Sequence, residues 1–398
     1  MLEIKPILDL QLDEHHAVFR QRFEEVMSKS PMRNIEVAKT IGITEGQLIS
    51  AYQLISIPKQ DFTIATLERF LRQGTASMVS IGLKKEWSEI LQFVKNFKEV
   101  MALTRNEACI HEKLGTYENY MKQGDIGLFL GEIDLRLFFK EWHAGFMILE
   151  NKGGMMVKSI QFFNKEGVAI HKIFMRKTSD LSMLDEFLEL FTQRSRSESH
   201  RNQAKKSFDA KSILTEFSSP TLQQSKSSSE IPEIEIKAFR AAWSGLRDAH
   251  EFIDLLKKFN ISRLQAFKLI GEDFASPVDN ESTHDIFRAA MNERIPVMIF
   301  VGNGAVIQIH TGVIHNVSSM GSWLNILDGG FNLHLRESLI HSTWVVRKPT
   351  KDGVITSLEI FDRQGEVIAM VFGERQPGVS ERCDWRRMIE SQVQEMRV

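Results

Sequence analysis

Two periodicities alternate along the chain. In its second half, Phe239, Ala242, Leu246, Ala249, Ile253 and Leu256 recur at spacings of three and four, which predicts one amphipathic helix with a buried stripe. Just downstream, Ser262-Arg-Leu-Gln265 predicts the start of a second, short helix. It is a capping box, in which the serine hydroxyl accepts from an early backbone N–H while the glutamine reaches back to the cap. Thr44-Glu-Gly-Gln47 repeats the device in the first half, after Ile43 where the second half has Ile261. Beyond these helical openings the period falls to two. Ile133, Leu135 and Leu137 point one way and Asp134, Arg136 and Phe138 the other, as in a strand. Asn164-Lys-Glu-Gly167 and Asp362-Arg-Gln-Gly365 place glycine where a bulged hairpin needs a positive φ, which predicts antiparallel meanders.

These patterns are written twice. Ser159-Ile-Gln-Phe-Phe-Asn-Lys-Glu-Gly167 aligns with Ser357-Leu-Glu-Ile-Phe-Asp-Arg-Gln-Gly365, and Ile170, Phe174 and Lys177 meet Ile368, Phe372 and Arg375 at the same offset. Ile133-Asp-Leu-Arg136 faces Phe331-Asn-Leu-His334, and Arg105-Asn-Glu-Ala108 faces Gly302-Asn-Gly-Ala305. An internal repeat of this kind makes each half one copy of a module. Between the copies, the stretch from Arg194 to Glu230 is crowded with Ser, Lys, Arg and Gln and carries too little apolar surface to offset the entropy of ordering. The expected organisation is an N-terminal repeat over 1–190, a mobile polar linker over 191–235 and a C-terminal repeat over 236–398. The fold class is α+β: two tandem repeats, each a helical N-terminal part followed by a large antiparallel sheet.

Composition narrows the chemistry. With 398 residues, 42% of them hydrophobic, the chain has apolar material for two cores. A net charge of −2 provides no general cationic field for nucleic acid or an anionic membrane. Its two cysteines, Cys109 and Cys383, form no C-x-x-C, C-x-x-C-H or zinc spacing, which argues against structural zinc and covalently attached haem. The opening residues lack the basic and apolar regions of an export signal, and no apolar run reaches the roughly eighteen residues of a membrane span. A cytoplasmic protein is the expectation.

Among twelve histidines, His250 is placed by the helical stripe at the edge of the buried face, near Trp243 and Leu246. An imidazole with aromatic and apolar neighbours suits the axial position of a non-covalent haem, and equally suits a hydrogen-bonded core histidine. Arg136 shares a strand face with Asp134 and Phe138; it can present donors to a ligand or pair with Asp134 on a solvated sheet. Arg263 follows the Ser262 cap, where the helix N-terminus attracts anions, or it is simply a solvated helix-start residue. Arg375 lies beyond the last strand, with basic Lys177 as its repeat mate, and a solvated strand end explains it as well as anion binding does. His111-Glu-Lys-Leu-Gly115 opens like a zinc-protease helix but has no second histidine four residues on, and its alternation suggests a strand. P-loop, nucleophile-elbow and EF-hand spacings do not occur. Glu36 to Tyr52 has the turn glycine and capped second helix of a helix-turn-helix, yet that second helix offers no Arg or Lys to a phosphate or base.

Taken together, several blocks resemble the HemS/ChuS family of cytoplasmic haemin-degrading and haem-trafficking proteins. They are Arg105-Asn-Glu-Ala-Cys-Ile-His-Glu-Lys-Leu-Gly-Thr-Tyr117, Ile133-Asp-Leu-Arg-Leu-Phe138, Ser159-Ile-Gln-Phe-Phe163, Asp248-Ala-His-Glu-Phe252, Val301-Gly-Asn303, Gly321-Ser-Trp-Leu-Asn325 and Arg347-Lys-Pro-Thr-Lys-Asp-Gly353. The resemblance implies haem b held non-covalently in a cleft between the halves, with His250 as the iron ligand and Arg136 on the distal side. Arg263 and Arg375 fall on basic residues at the propionates or porphyrin edge, and His111 on a histidine considered as a second contact or catalytic group. Two departures stand out. Met320-Gly-Ser-Trp lacks a lysine often found there, and Phe372 replaces a common tyrosine at the haem-binding position. The implied activity is release of iron from imported haem, with an electron donor; the alternatives are a haem chaperone serving a separate haem oxygenase and, distantly, a DNA-binding regulator. Implied partners are haem, a haem-uptake transporter or a haem oxygenase, with no nucleic acid and no membrane insertion, for a monomer or homodimer.

Overall fold

The computed structural model describes residues 11–12, 16–30, 32–56, 62–74, 76–192, 233–248, 251–376 and 378–395. The linker expected over 191–235 lies, from 193 to 232, outside the described residues, as does His250.

The first repeat runs β1 (Gln11–Leu12), α1 (Ala17–Lys29), α2 (Asn34–Ile41), α3 (Glu45–Ala51), β2 (Leu54–Ser56), α4 (Ile64–Arg72), β3 (Met78–Gly82) and α5 (Trp87–Phe93). It continues through β4 (Val100–Arg105), β5 (Cys109–Gly115), β6 (Met121–Gln123), β7 (Ile126–Phe129), β8 (Asp134–Phe138), β9 (Ala144–Lys152), β10 (Met155–Phe163), β11 (Ala169–Met175) and α6 (Leu184–Phe191). The second repeat begins with α7 (Glu233–Ser244), α8 (Glu251–Phe259), α9 (Arg263–Ile270), β12 (Ala275–Val278) and α10 (Ser282–Asn292). Its strands are β13 (Val297–Gly302), β14 (Val306–Gly312), β15 (Val317–Met320), β16 (Trp323–Leu327), β17 (Phe331–Arg336), β18 (Ser342–Thr350), β19 (Gly353–Phe361) and β20 (Val367–Gly373), closed by α11 (Cys383–Glu395).

The local signals behave as the sequence predicts. Thr44 and Ser262 each accept from the backbone N–H three residues on, with Gln47 and Gln265 completing the capping boxes. Gly167 and Gly365 take φ of 75° and 81° in the two hairpins. One expectation is corrected. The stripe from Phe239 to Leu256 is not a single helix: α7 ends at Ser244 and α8 starts at Glu251. The break follows Gly245, and the Arg247 N–H is taken by the Glu251 carboxylate at 2.9 Å, a side-chain partner in place of a helical carbonyl.

Both large sheets have nine antiparallel strands, ordered β15-β16-β17-β5-β4-β11-β10-β9-β3 and β12-β18-β19-β20-β13-β14-β8-β7-β6. Each takes six strands from its own repeat and three from the other. The meander β6 to β8 crosses over to extend the second sheet, and β15 to β17 extends the first. The inner faces of the sheets meet at β4 and β5 against β13 and β14. Two equivalent asparagines tie this junction. Asn106 Nδ2 donates to the carbonyls of Gly302 (3.1 Å) and Ile368 (2.8 Å), and Asn303 Nδ2 to those of Arg105 (3.0 Å) and Ile170 (2.8 Å). Helices α1 to α3 cover the outer face of the first sheet, and α7 to α9 that of the second.

Candidate functional site

Strand exchange decides where Arg136 lies. In β8, Ile133, Leu135 and Leu137 are fully buried in the inner core of the first repeat, which turns Asp134, Arg136 and Phe138 to the outer face of the second sheet. There Arg136 stands opposite Ile307 of β14, and Asp134 opposite Ile309. Ile307 and Ile309 belong to the cluster under α7 to α9 that includes Trp243, Leu246, Phe252, Phe300 and Phe372, with Phe138 and Met298 packed partly buried against it. The guanidinium makes both of its contacts through Nη1, one to the Asp134 carboxylate and a weaker one to the Leu135 carbonyl at 3.4 Å. The Asp134 pair foreseen from sequence therefore forms, but each side chain is only 18% exposed, so it is half-buried beside aromatic residues rather than solvated.

Phe372 lies on the same face. It is opposite Met298 and Ser357 and packs edge-on against Phe300 at 5.2 Å between ring centroids. Arg375 follows two residues beyond the end of β20 and is half-buried. Met320 is at the tip of the β15–β16 hairpin, on an edge of the other sheet.

Arg263 is neither a solvated helix-start residue nor open to the surface, since its side chain is 1% exposed. Helix α9 lies on the sheet, and the guanidinium from its first position donates through Nη1 to Glu359 Oε2 at 2.7 Å. Lys348 Nζ donates to the other oxygen at 2.7 Å, and the Ser357 hydroxyl adds a bond of 3.1 Å. Both cations also lie over the Phe252 ring, at 5.1 and 4.7 Å from its centroid. Two buried cations thus share one buried carboxylate on the same sheet face as Phe372, beside the aromatic cluster. Burial alone would raise the Glu359 pKa, but Arg263 and Lys348 outweigh it and hold the carboxyl below its ordinary value. Lys348 was not singled out by the sequence reading. Its signal was the period of two that puts Lys348 on the same strand face as the buried Trp344 and Val346.

His250 itself is outside the described residues. Beside it, the Glu251 N–H donates to the Asp248 carbonyl at 3.1 Å, and Phe252 and Ile253 are buried in the cluster on the same sheet face as Arg136.

His111 is not brought to that face. It forms part of β5 as expected, but it stands opposite Thr104 and Leu333 on the inner side of the first sheet. It is completely buried, its ring 4.9 Å from Phe331, and neither ring nitrogen has a hydrogen-bond partner. Burial, then the nearby His310 and Lys113, holds its pKa well below the ordinary imidazole value. His310 stacks flat on Phe331 at 3.8 Å, with Lys113 Nζ 3.1 Å from its Nδ1. His111 and Arg136 thus lie on different sides of the second sheet.

The helix-turn-helix outline is also present, as α2 and α3, but α3 packs on the sheet. Glu45, Gly46, Leu48, Ile49 and Ala51 are buried, and the Gly46 N–H donates to Gly167 O at 2.9 Å. A helix packed in this way has no free face to enter a DNA groove. Among the described residues, no helix is long and apolar enough to cross a membrane.

Comparison with known proteins places these features in context. The model of the haemin-degrading HemS.ChuX domain matches residues 67–191 and again 260–392, one match per repeat. The hemin transport protein HemS of Yersinia enterocolitica is 36% identical over 312 residues, covering 77% of this chain and 84% of that protein. The hemin transport protein HmuS of Yersinia pestis is 34% identical over 310 residues, with the same coverage of 77% and 84%. Among solved structures, holo-PhuS, a heme-binding protein from Pseudomonas aeruginosa, superposes with a TM-score of 0.78 at 33% identity, over 94% of this chain and 98% of that one. ChuS, described as an E. coli heme oxygenase, gives 0.72 at 29% identity, over 94% and 99%.

Proposed function

Because the chain belongs to the HemS family of haemin-degrading proteins, we propose that it receives imported haem in the cytoplasm and promotes its breakdown to release iron. The observation that carries the reading is the crossover of β8, which sets a half-buried arginine from one repeat opposite Ile307 on the outer face of the other, the face on which Phe252 and Ile253 of α8 are packed. That surface suits haem b. Phe138 and Met298, partly exposed over the buried Phe300, Ile307 and Phe372, would make an apolar wall for a flat ring, and Arg136 and Arg375 would supply cations for an anionic ligand. With no cysteine pair to bond the ring, it is held non-covalently.

In this reading the His250 imidazole would hold the iron, Arg136 would donate a hydrogen bond to the bound ligand, and the aromatic wall would exclude water. Haem supplies the redox chemistry through its iron, with an electron donor and oxygen or peroxide as co-reactants. Arg263 and Lys348, held by Glu359, add positive charge beside the wall. A second reading, a chaperone that hands intact haem to a separate oxygenase, is supported by the naming of both Yersinia relatives as hemin transport proteins.

One experiment separates the two. The purified haem complex is given a physiological reductant in the presence of catalase. Appearance of a linear tetrapyrrole with equimolar iron supports breakdown. Intact haem that transfers to an added haem oxygenase supports the chaperone, and failure to bind haem at all overturns both.

A further inference from the structure

Arg136 has several rotatable bonds, and ordering such a side chain costs up to about 2 kcal/mol. In this protein the ordering is done before any ligand arrives. Asp134, two residues earlier on β8 and on the same face, holds Nη1, which leaves Nε and Nη2 to donate elsewhere. Asp134 also borders a cavity of about 410 Å³ where β5, β14 and the start of β8 meet. The charged groups around that cavity are Glu99, Lys113 and Glu132, with the Thr311 side chain beside them. Asp134 therefore meets the guanidinium and lies at the border of a cavity lined by charged residues.

We infer that Asp134 is a positioning residue, which fixes the Arg136 guanidinium so that its remaining N–H groups face the ligand bound on the outer surface of the second sheet. The inference rests on the haem reading above. Its sign can be tested. A cationic donor aimed at the ligand stabilises an anionic form, so losing Arg136 raises the pH midpoint of the ferric Soret change. If Asp134 acts through Arg136, removing its charge also raises the midpoint. If it acts only by its own negative field, removing it lowers the midpoint.

The test uses the full chain loaded with haemin and titrated from pH 6 to 11, as wild type, Arg136→Ala, Asp134→Asn, Asp134→Glu and the Arg136→Ala/Asp134→Asn double variant. Arg136→Ala is expected to raise the midpoint by about one unit, the worth of one charge-assisted hydrogen bond. Asp134→Asn should move it about half as far in the same direction, Asp134→Glu should restore it, and the double variant should match Arg136→Ala. Should Asp134→Asn not fold, Asp134→Ser reads the same loss of charge. A midpoint that stays put or falls in the Asp134 variants, while Arg136→Ala raises it, overturns the inference and leaves the haem reading standing. Absence of haem binding by wild type removes both.

Discussion

The sharpest structural prediction concerns the charged group beside the aromatic wall. Glu359 is fully buried and is the counter-charge for both Arg263 and Lys348, which are 1% and 5% exposed. Glu359→Gln keeps the size and a hydrogen-bond acceptor but takes away that charge from both cations at once. Breaking a buried ion pair from one side costs about 3–5 kcal/mol. Arg263→Met is different, because Glu359 keeps Lys348 and Ser357 and the methionine meets Met370 and Phe252. It gives up the Glu359 hydrogen bond and the Met370 Sδ contact but strands no buried charge, so the cost is about 1.5–3 kcal/mol. Glu359→Gln should therefore be the more damaging, lowering the thermal midpoint by roughly 10 °C. Urea unfolding followed by tryptophan fluorescence is the assay, since Trp243 and Trp344 lie in the same cluster. The pH dependence has a definite sign. The folded pKa is lower than the ordinary value of 4.5, so the stabilisation is complete above that value and is lost as pH falls through the folded pKa. The gap between wild type and Glu359→Gln should thus close in strong acid. Equal stability of the two proteins at pH 7, or a larger loss in Arg263→Met, would refute the assigned role of Glu359.

Acid should act on the inner faces as well. His171 and His310 are pushed by burial down to about 3, and His111 well below its ordinary value, so all three are neutral in the folded state at pH 7. Unfolding lets them bind protons below the ordinary value of 6.5, and stability should fall as pH drops below it, with a slope approaching about 4 kcal/mol per unit. His111→Leu should flatten that slope by about a third in urea midpoints measured from pH 7 to 5; an unchanged slope would mean that His111 is not buried neutral. At the end of β20, a Cβ on Gly373 would lie 2.6 Å from Trp385 Cβ and Cγ. Gly373→Ala should cost about 1–3 kcal/mol by overpacking, read in the same unfolding assay, with wild-type stability counting against the packing of α11.

Much of this architecture is written in local patterns. The capping boxes at Thr44 and Ser262, the glycine hairpins at Gly167 and Gly365, and the alternation of Ile133, Leu135 and Leu137 all depend on nearby residues, and all appear as expected. The exchange of β8 and β17 between sheets was not legible, because a period of two says which face a side chain takes but not which strand lies beside it. For the same reason the depth of Arg263 was hidden: its partner Glu359 is 96 residues away. His111 was assigned to the right strand, yet its face depends on how the two sheets stack. The stripe from Phe239 to Leu256 failed differently. Its spacing runs unbroken through Gly245 and Arg247, while the Arg247 N–H donates to the Glu251 carboxylate in place of a helical carbonyl.

The central proposal is that haem binds on the outer face of the second sheet, where His250 would hold its iron and Arg136 would donate to the bound ligand. Haemin titration of wild type and His250→Ala, followed by the Soret band, tests it most directly. The account predicts a saturable one-to-one complex in wild type, and in His250→Ala a shifted Soret band with affinity weakened by at least about tenfold. An unchanged band and affinity in His250→Ala would contradict it.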